Sequence, residues 1–275
     1  MVTLKAKAKI NLFLHINDKR SDSYHNLQSL IVFCDDIFDE ITIAKNLLIE
    51  ISGEFAPSLS ALQTNIIASV LQHYGKNDYG YHLSKNIPVA AGLGGGSSDA
   101  AMVFAYFNQF NPLDLHAIEN LRLFGSDVPV CYNQSAAFIQ QTGEKIEQVL
   151  NLPKFYAILI NPLKKVITKD IFQQVSVFTK PLIDFNTNFK DDFKQLLNFL
   201  KAQSNDLTGI TVKAIPEVKT IIDFCEQKTD SAYSAMSGSG PTCFALYENQ
   251  SNLDCAYQKL LSAFPNYWIK TTKIS

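Results

Sequence analysis

"PVAAGLGGGSSDAA", residues 88–101, governs how the rest of the chain is read. It holds Gly92, Gly94, Gly95 and Gly96, four of the twelve glycines in 275 residues, directly before a run of serines and alanines. Glycine permits positive φ and lets backbone approach a ligand closely. Successive amides of such a turn converge into a nest, and a helix beginning at Ser97 adds the positive end of its dipole. Together these make a phosphate site out of backbone. The hydroxyls of Ser97 and Ser98 stand ready to bond phosphate oxygens or a magnesium ion. A P-loop would carry its lysine directly after the last glycine, where this chain has Ser97. The plainer alternative is a strand-to-helix turn that needs glycine only for close packing. Four glycines within five positions, followed by two serines, favour phosphate.

Upstream, residues 4–16 alternate strictly, with Leu4, Ala6, Ala8, Ile10, Leu12, Leu14 and Ile16 on one face. Period two over this length predicts a strand with one buried face. Lys9 and Asn11 then sit side by side on the other face. "RSDSYHNLQS" (residues 20–29) reads as a polar loop, and "EITI" and "LLIEIS" as short strands of a hairpin or meander. Residues 64–74 predict a helix with Thr64 as N-cap and Gly75 as its stop. "YHLSKNIPVA" is extended. A helix over 97–110 follows the glycine loop, and another runs over 116–124.

Downstream, "FGSDVPV" begins a new element, with Ser126 or Asp127 as N-cap and Pro129 in the first turn. Taken alone, Asp127 is a cap and Lys9 an ordinary strand lysine. "AAFIQ" and "KIEQV" flank "QTGE" as a hairpin, and "YAILINP" is a buried strand. "TKDIFQQV", "DDFKQLLNFLKAQ" and "IPEVKTIIDFCEQ" have helical periodicity. The end reads strand, glycine turn, strand, helix, strand. The turn "MSGSGP" places Gly238 and Gly240 for close approach of backbone to a ligand. The pattern predicts two α+β lobes with a boundary near residues 150–165, that is, lobes of 1–155 and 156–275.

Composition sets the outer limits. The chain is 47% hydrophobic and 18% charged with a net charge of −2, which points to a globular protein without the basic field that nucleic acid demands. No stretch reads as a signal peptide or membrane span, so a cytoplasmic location is expected. Five cysteines, widely spaced and without a CxxC pair, read as buried reduced thiols. The five histidines show no metal-ligand spacing either, so any catalytic metal must be a hard ion held by oxygen. The residues leave the oligomeric state open, between monomer and weak dimer.

"AKAKINLFLHI", "RSDSYHNLQSL", "PVAAGLGGGSSDAA", "GSDVPV", "VITKDIF" and "MSGSGPTCFALY", in this order and spacing, resemble the motifs of the GHMP kinases. Within that superfamily they are most similar to the kinases of 4-diphosphocytidyl-2-C-methyl-D-erythritol in the non-mevalonate isoprenoid pathway. The resemblance runs from about residue 6 to the C-terminal strand. It implies a two-lobed α+β GHMP kinase fold, with an N-terminal ribosomal-protein-S5-like lobe containing a left-handed βαβ crossover. The C-terminal lobe is implied to be ferredoxin-like and to complete the substrate cleft. It further implies ATP and Mg2+ as cofactors and the cytidylyl sugar alcohol as the small-molecule substrate, phosphorylated on its 2-hydroxyl.

Residue by residue, Lys9 and Asp127 match the family's catalytic pair and Asn11 a substrate-contacting asparagine. Tyr24, His25 and Phe172 match a cytosine pocket, and Asn65 and Lys85 match positions near the adenosine. Pro88, Gly92, Leu93, Gly94, Gly95, Gly96, Ser97 and Ser98 match the phosphate stretch, with Ser98 and Asp127 as candidate magnesium ligands. Two departures stand out. Ser23 occupies a position where the family has glycine, and if that turn needs positive φ the serine costs about 1 kcal/mol. The family's "NDLE"-like segment appears only as "NDLTG", residues 205–209, and carries no assigned role. Two other functions stay open on residues alone: a GHMP kinase acting on homoserine or a mevalonate, and a non-catalytic nucleotide-binding relative.

Overall fold

The computed structural model describes residues 1–59, 65–183 and 188–275. They form two compact units, each assembled from separated stretches of chain. Strands β1 (Val2–Lys19) and β2 (His25–Lys45) are long enough to contribute to both.

The first unit comprises Met1–Lys9, Ile37–Val89 and Gly94–Gln134. After β2 come β3 (Glu50–Ser52), α1 (Ile66–His73), β4 (Tyr79–Ser84), α2 (Gly95–Phe107), α3 (Leu115–Arg122) and the single turn α4 (Val128–Cys131). β4 pairs antiparallel with residues 40–45 of β2 and parallel with β3. A parallel pair needs a crossover, and α1 supplies it, which makes β3–α1–β4 a βαβ unit. "EITI" and "LLIEIS" therefore do not form the expected hairpin: the first lies inside the 21-residue β2, and the second shrinks to three residues. The expected cap Thr64 lies outside the described residues. Asn65 occupies the N-cap of α1, its side chain accepting from the Ile67 amide at 3.0 Å. In α2, Ser98 through Ala105 are all buried, and its small alanines let it pack on several sides at once.

The second unit comprises Ile10–Asp36, Ala90–Leu93 and Ser135–Ser275. Its new elements are β5 (Ala137–Gln141), β6 (Lys145–Gln148), β7 (Phe155–Asn161), α5 (Thr168–Gln173), α6 (Phe193–Lys201), α7 (Thr208–Ala214) and α8 (Glu217–Lys228). β8 (Tyr233–Met236), β9 (Cys243–Tyr247), α9 (Gln250–Ala263) and β10 (Trp268–Ile274) close the chain. β5 and β6 form the expected hairpin, and β5 pairs with residues 27–31 of β2. "RSDSYHNLQS" is thus loop only as far as Tyr24, because β2 starts at His25. The last four strands make an antiparallel sheet in the order β10-β7-β9-β8. Ile158, Ile160, Val218, Ile221, Leu253 and Leu260 form its core with α8 and α9.

β1 departs from the one-sided strand that its alternation predicts. Polar and apolar positions alternate between exposure and burial over residues 3–6, but residues 8–16 are buried on both faces. Lys9, Asn11 and His15 are consequently interior polar groups that need partners. Four cysteines are buried as expected, whereas Cys255 is exposed on α9. Among the described residues no helix is long and apolar enough to cross a membrane.

Candidate active site

α2 begins two residues earlier than its sequence suggests. Gly94 is its N-cap in the left-handed conformation, at φ +64°, so Gly95 and Gly96 are first-turn helical residues and not part of an irregular nest. The first intrahelical bond runs from the Ser98 amide to the Gly94 carbonyl at 2.8 Å. The amides of Gly95, Gly96 and Ser97 therefore have no acceptor within the helix, at the end where its dipole is positive.

The four glycines serve four different ends. At Gly92, φ is +76° and a Cβ would overlap the Ser237 carbonyl oxygen. At Gly94 a Cβ would lie 2.7 Å from Cγ of Lys9, and at Gly95 one would lie 2.9 Å from Nζ of Lys85. At Gly96 a Cβ would meet nothing within 4 Å. The first three are explained by packing against the protein itself. Gly96, exposed and helical, is the one of the four whose bare backbone nothing among the described residues explains.

Beside Gly94, Lys9 Nζ lies 3.2 Å from Oδ2 of Asp127. The lysine side chain is 4% exposed and the aspartate 38%, so a buried ammonium meets a carboxylate that keeps one side open. Asp127 holds the N-cap position of α4 but makes no capping bond; its side chain turns to the lysine instead. Cys131, on the same short helix, has its thiol pushed up to about 12, chiefly by burial, with the Asp127 charge adding to it. It is a neutral thiol and no nucleophile. Ser98 is fully buried, its hydroxyl donating to the Lys7 carbonyl at 2.7 Å, while Ser97 remains partly exposed.

Other expected site residues of this unit have structural partners. Asn65 caps α1, and Pro88 is buried ahead of the loop. Lys85, expected near the adenosine, is 3% exposed, with its ammonium bonded to Asp39 and Asp99. Those two aspartates were missed by sequence reasoning. Asp39 lies in no motif, and Asp99, although inside the quoted 88–101 stretch, looks like any other carboxylate until its partner is known.

In the second unit, Asn11 is buried; its Nδ2 donates to Ser29 Oγ at 2.8 Å and its amide donates to Ser237 Oγ at 3.0 Å. Ser237 Oγ in turn donates to the Gly92 carbonyl at 2.9 Å. Leu93 is buried beside this contact. The two glycine loops thus approach each other at Gly92, a backbone-to-backbone contact where close approach to a ligand was expected. Asn205 of "NDLTG" holds the second loop from the other side, donating to the carbonyls of Met236 and Gly238 at 2.8 Å each. That segment has a structural role after all, and α7 begins within it, at Thr208.

His25 and Phe172 come together, ring centroids 5.6 Å apart, with Phe178 6.4 Å from His25 on another side. His25 is buried, its pKa is lowered by that burial and by Lys19, and its Nε2 has no hydrogen-bond partner among the described residues. Tyr24 does not join them inside; it is 61% exposed. Ser23 has φ +70°, so the turn does take the conformation that favours glycine, and the Asp22 carboxylate accepts from the Tyr24 amide to hold it.

Sequence profiles match both ends of this arrangement: "GHMP kinases N terminal domain" over residues 61–135 and "GHMP kinases C terminal" over 184–266. A 4-diphosphocytidyl-2-C-methyl-D-erythritol kinase from Ehrlichia chaffeensis is 34% identical, the match covering 98% of each chain. One from Methylorubrum extorquens is 31% identical over 100% of this chain and 99% of its own. A crystal structure of 4-(cytidine 5'-diphospho)-2C-methyl-D-erythritol kinase shares the fold at a TM-score of 0.77 with 24% identity, covering 100% of this chain and 99% of that one.

Proposed function

The chain belongs to the GHMP kinase family, and from that membership and its Lys9–Asp127 pair we propose that it is a small-molecule kinase. The proposed reaction transfers the γ-phosphoryl group of ATP to the 2-hydroxyl of 4-diphosphocytidyl-2-C-methyl-D-erythritol, a step in the non-mevalonate isoprenoid pathway. The observation that carries it is Asp127 leaving its cap to meet a buried lysine at 3.2 Å.

Phosphoryl transfer asks little covalent work of a protein; it needs charge stabilisation and in-line positioning. The Asp127 carboxylate accepts the proton of the attacking hydroxyl. Lys9 orients that carboxylate and polarises the hydroxyl oxygen, and its ammonium stabilises negative charge as it develops. The amides of Gly95, Gly96 and Ser97, with the dipole of α2, hold the phosphates, and bare Gly96 leaves room for their approach. His25, with an orphan Nε2 against Phe172, supplies a hydrogen bond and a ring face to a pyrimidine. Asn11 orients the acceptor through its place beside Lys9 on β1.

A magnesium ion serving such a reaction needs only one or two protein oxygens and takes phosphates and water for the rest. The open side of Asp127 fits that demand, and Ser97 is the more accessible hydroxyl, since Ser98 is fully buried. Bound there, the ion would neutralise phosphate charge.

Coupled ADP release by the purified protein tests the reading, with the cytidylyl substrate, homoserine and mevalonate offered in parallel. Turnover of the cytidylyl compound alone is expected. Turnover of homoserine or mevalonate without it would overturn the substrate, and no turnover with any would favour a non-catalytic relative.

A further inference from the structure

Three buried charges in the first unit stand outside that mechanism. Lys85 Nζ lies 2.5 Å from Asp39 Oδ2 and 2.8 Å from Asp99 Oδ2, and all three side chains are excluded from solvent. Taking charges out of water is costly, and apolar residues of the same volume would pack at least as well. What the charged group does better is orient the elements it joins.

Those elements surround the glycine loop. Asp39 lies on β2, and its Oδ1 accepts from the amides of Asn86 and Ile87, at 2.6 and 2.9 Å, in the segment leading to the loop. Lys85 is itself held by its backbone: its amide donates to Ser52 and its carbonyl accepts from Phe55. Asp99 lies in the second turn of α2. The ammonium sits beneath the first turn of that helix, where a Cβ at Gly95 would be 2.9 Å from Nζ and 3.1 Å from the Ile87 side chain. Burial works to lower the Lys85 pKa, but Asp99 and Asp39 more than offset it, so the cation persists at neutral pH.

We propose that Lys85, Asp39 and Asp99 are positioning residues for the nucleotide phosphates. The ammonium ties β2, the segment before the loop and α2 together, and so aims the amides of Gly95, Gly96 and Ser97. This rests on the kinase reading. Lys85 acts through the loop and not by touching the nucleotide, which separates it from Lys9 and Asp127.

The test compares wild type with Lys85→Met and with the Lys85→Met/Asp99→Asn double variant, reading kcat and the KM of each substrate. Lys85→Met alone leaves two carboxylates facing each other and is at risk of not folding. The double variant removes the surplus charge, and Asp39 keeps its two backbone donors. With folding checked by circular dichroism, the ATP KM of the double variant should rise roughly tenfold or more while kcat stays within about threefold and the acceptor KM is unchanged. A folded double variant with the wild-type ATP KM would overturn the proposal, as would equal damage to kcat and both KM values. Should wild type turn over no substrate, the kinase reading fails separately. ATP affinity by titration calorimetry then decides the positioning role: weaker binding by the double variant upholds it, and unchanged binding overturns it.

Discussion

Two lysines flank the glycine loop, one against each of two adjacent glycines, and their carboxylate partners differ in solvent access. Lys9 packs along Gly94 and meets one carboxylate that is 38% exposed; Lys85 lies under Gly95 and meets two that are sealed. A carboxylate with an open side can receive a proton from a substrate and pass it to water. A sealed one exchanges nothing with a ligand and acts on geometry alone. The pairings are the same chemistry, and solvent access separates the proposed reacting group from the proposed supporting one.

The widest gap should appear when each pair is broken at its aspartate or lysine. Asp127→Ala and Lys9→Ala should each lower kcat by roughly 10² or more, with ATP affinity preserved and a smaller loss of stability than at the sealed cluster, because Asp127 keeps one side in water. Lys85→Met should instead destabilise by about 3–5 kcal/mol in urea unfolding, since it leaves buried carboxylates without their cation. Equal stability losses at the two sites would erase the distinction.

The glycines between the pairs sharpen it further. Gly94→Ala combines a strained φ of +64° with a collision against the Lys9 stem, and should lower kcat by about tenfold. Gly96→Ala should fold with an unchanged melting temperature, because its Cβ meets nothing, and should show its effect in the ATP KM alone. A melting temperature lowered as far in Gly96→Ala as in Gly94→Ala would refute the assignment of separate roles.

The smallest effect is on pH. Asp99 is pushed up to about 7, chiefly by burial and also by Asp39, against the pull of Lys85. Its folded pKa lies above the unfolded one, so the stability it contributes is complete below the ordinary carboxylate range and is lost as pH rises through about 7. Melting temperature should therefore decline between about pH 4 and 7 and level off above, and Asp99→Asn should flatten that decline. Tyr81 and Cys131, which also face Asp99, are both raised by burial and titrate above this window. An identical slope in Asp99→Asn would remove Asp99 as its source.

Much of this was legible in one dimension. The hairpin of β5 and β6, the strand β7 and the final strand–helix–strand run follow period and turn residues that act locally. The loop glycines, Lys9 and Asp127 stood out because their motifs are short and contiguous. The boundaries that moved did so through tertiary contact. Gly95 and Gly96 are weak helix formers that joined α2 because its end is packed against two lysines. β3 shortened once its partner became β4 and not its neighbour in sequence.

By itself, then, the sequence determined the element types, the family and the position of the glycine loop proposed to hold phosphate, since these depend on local backbone preference and on motifs read in order. Only the tertiary structure decided what each charged residue does. Lys9 and Asp127 are 118 positions apart and Asp39 and Asp99 are 60 apart (127 − 9 and 99 − 39). Whether a carboxylate ends open beside one lysine or sealed beneath another is set by packing over those distances, and solvent access then fixes its chemistry.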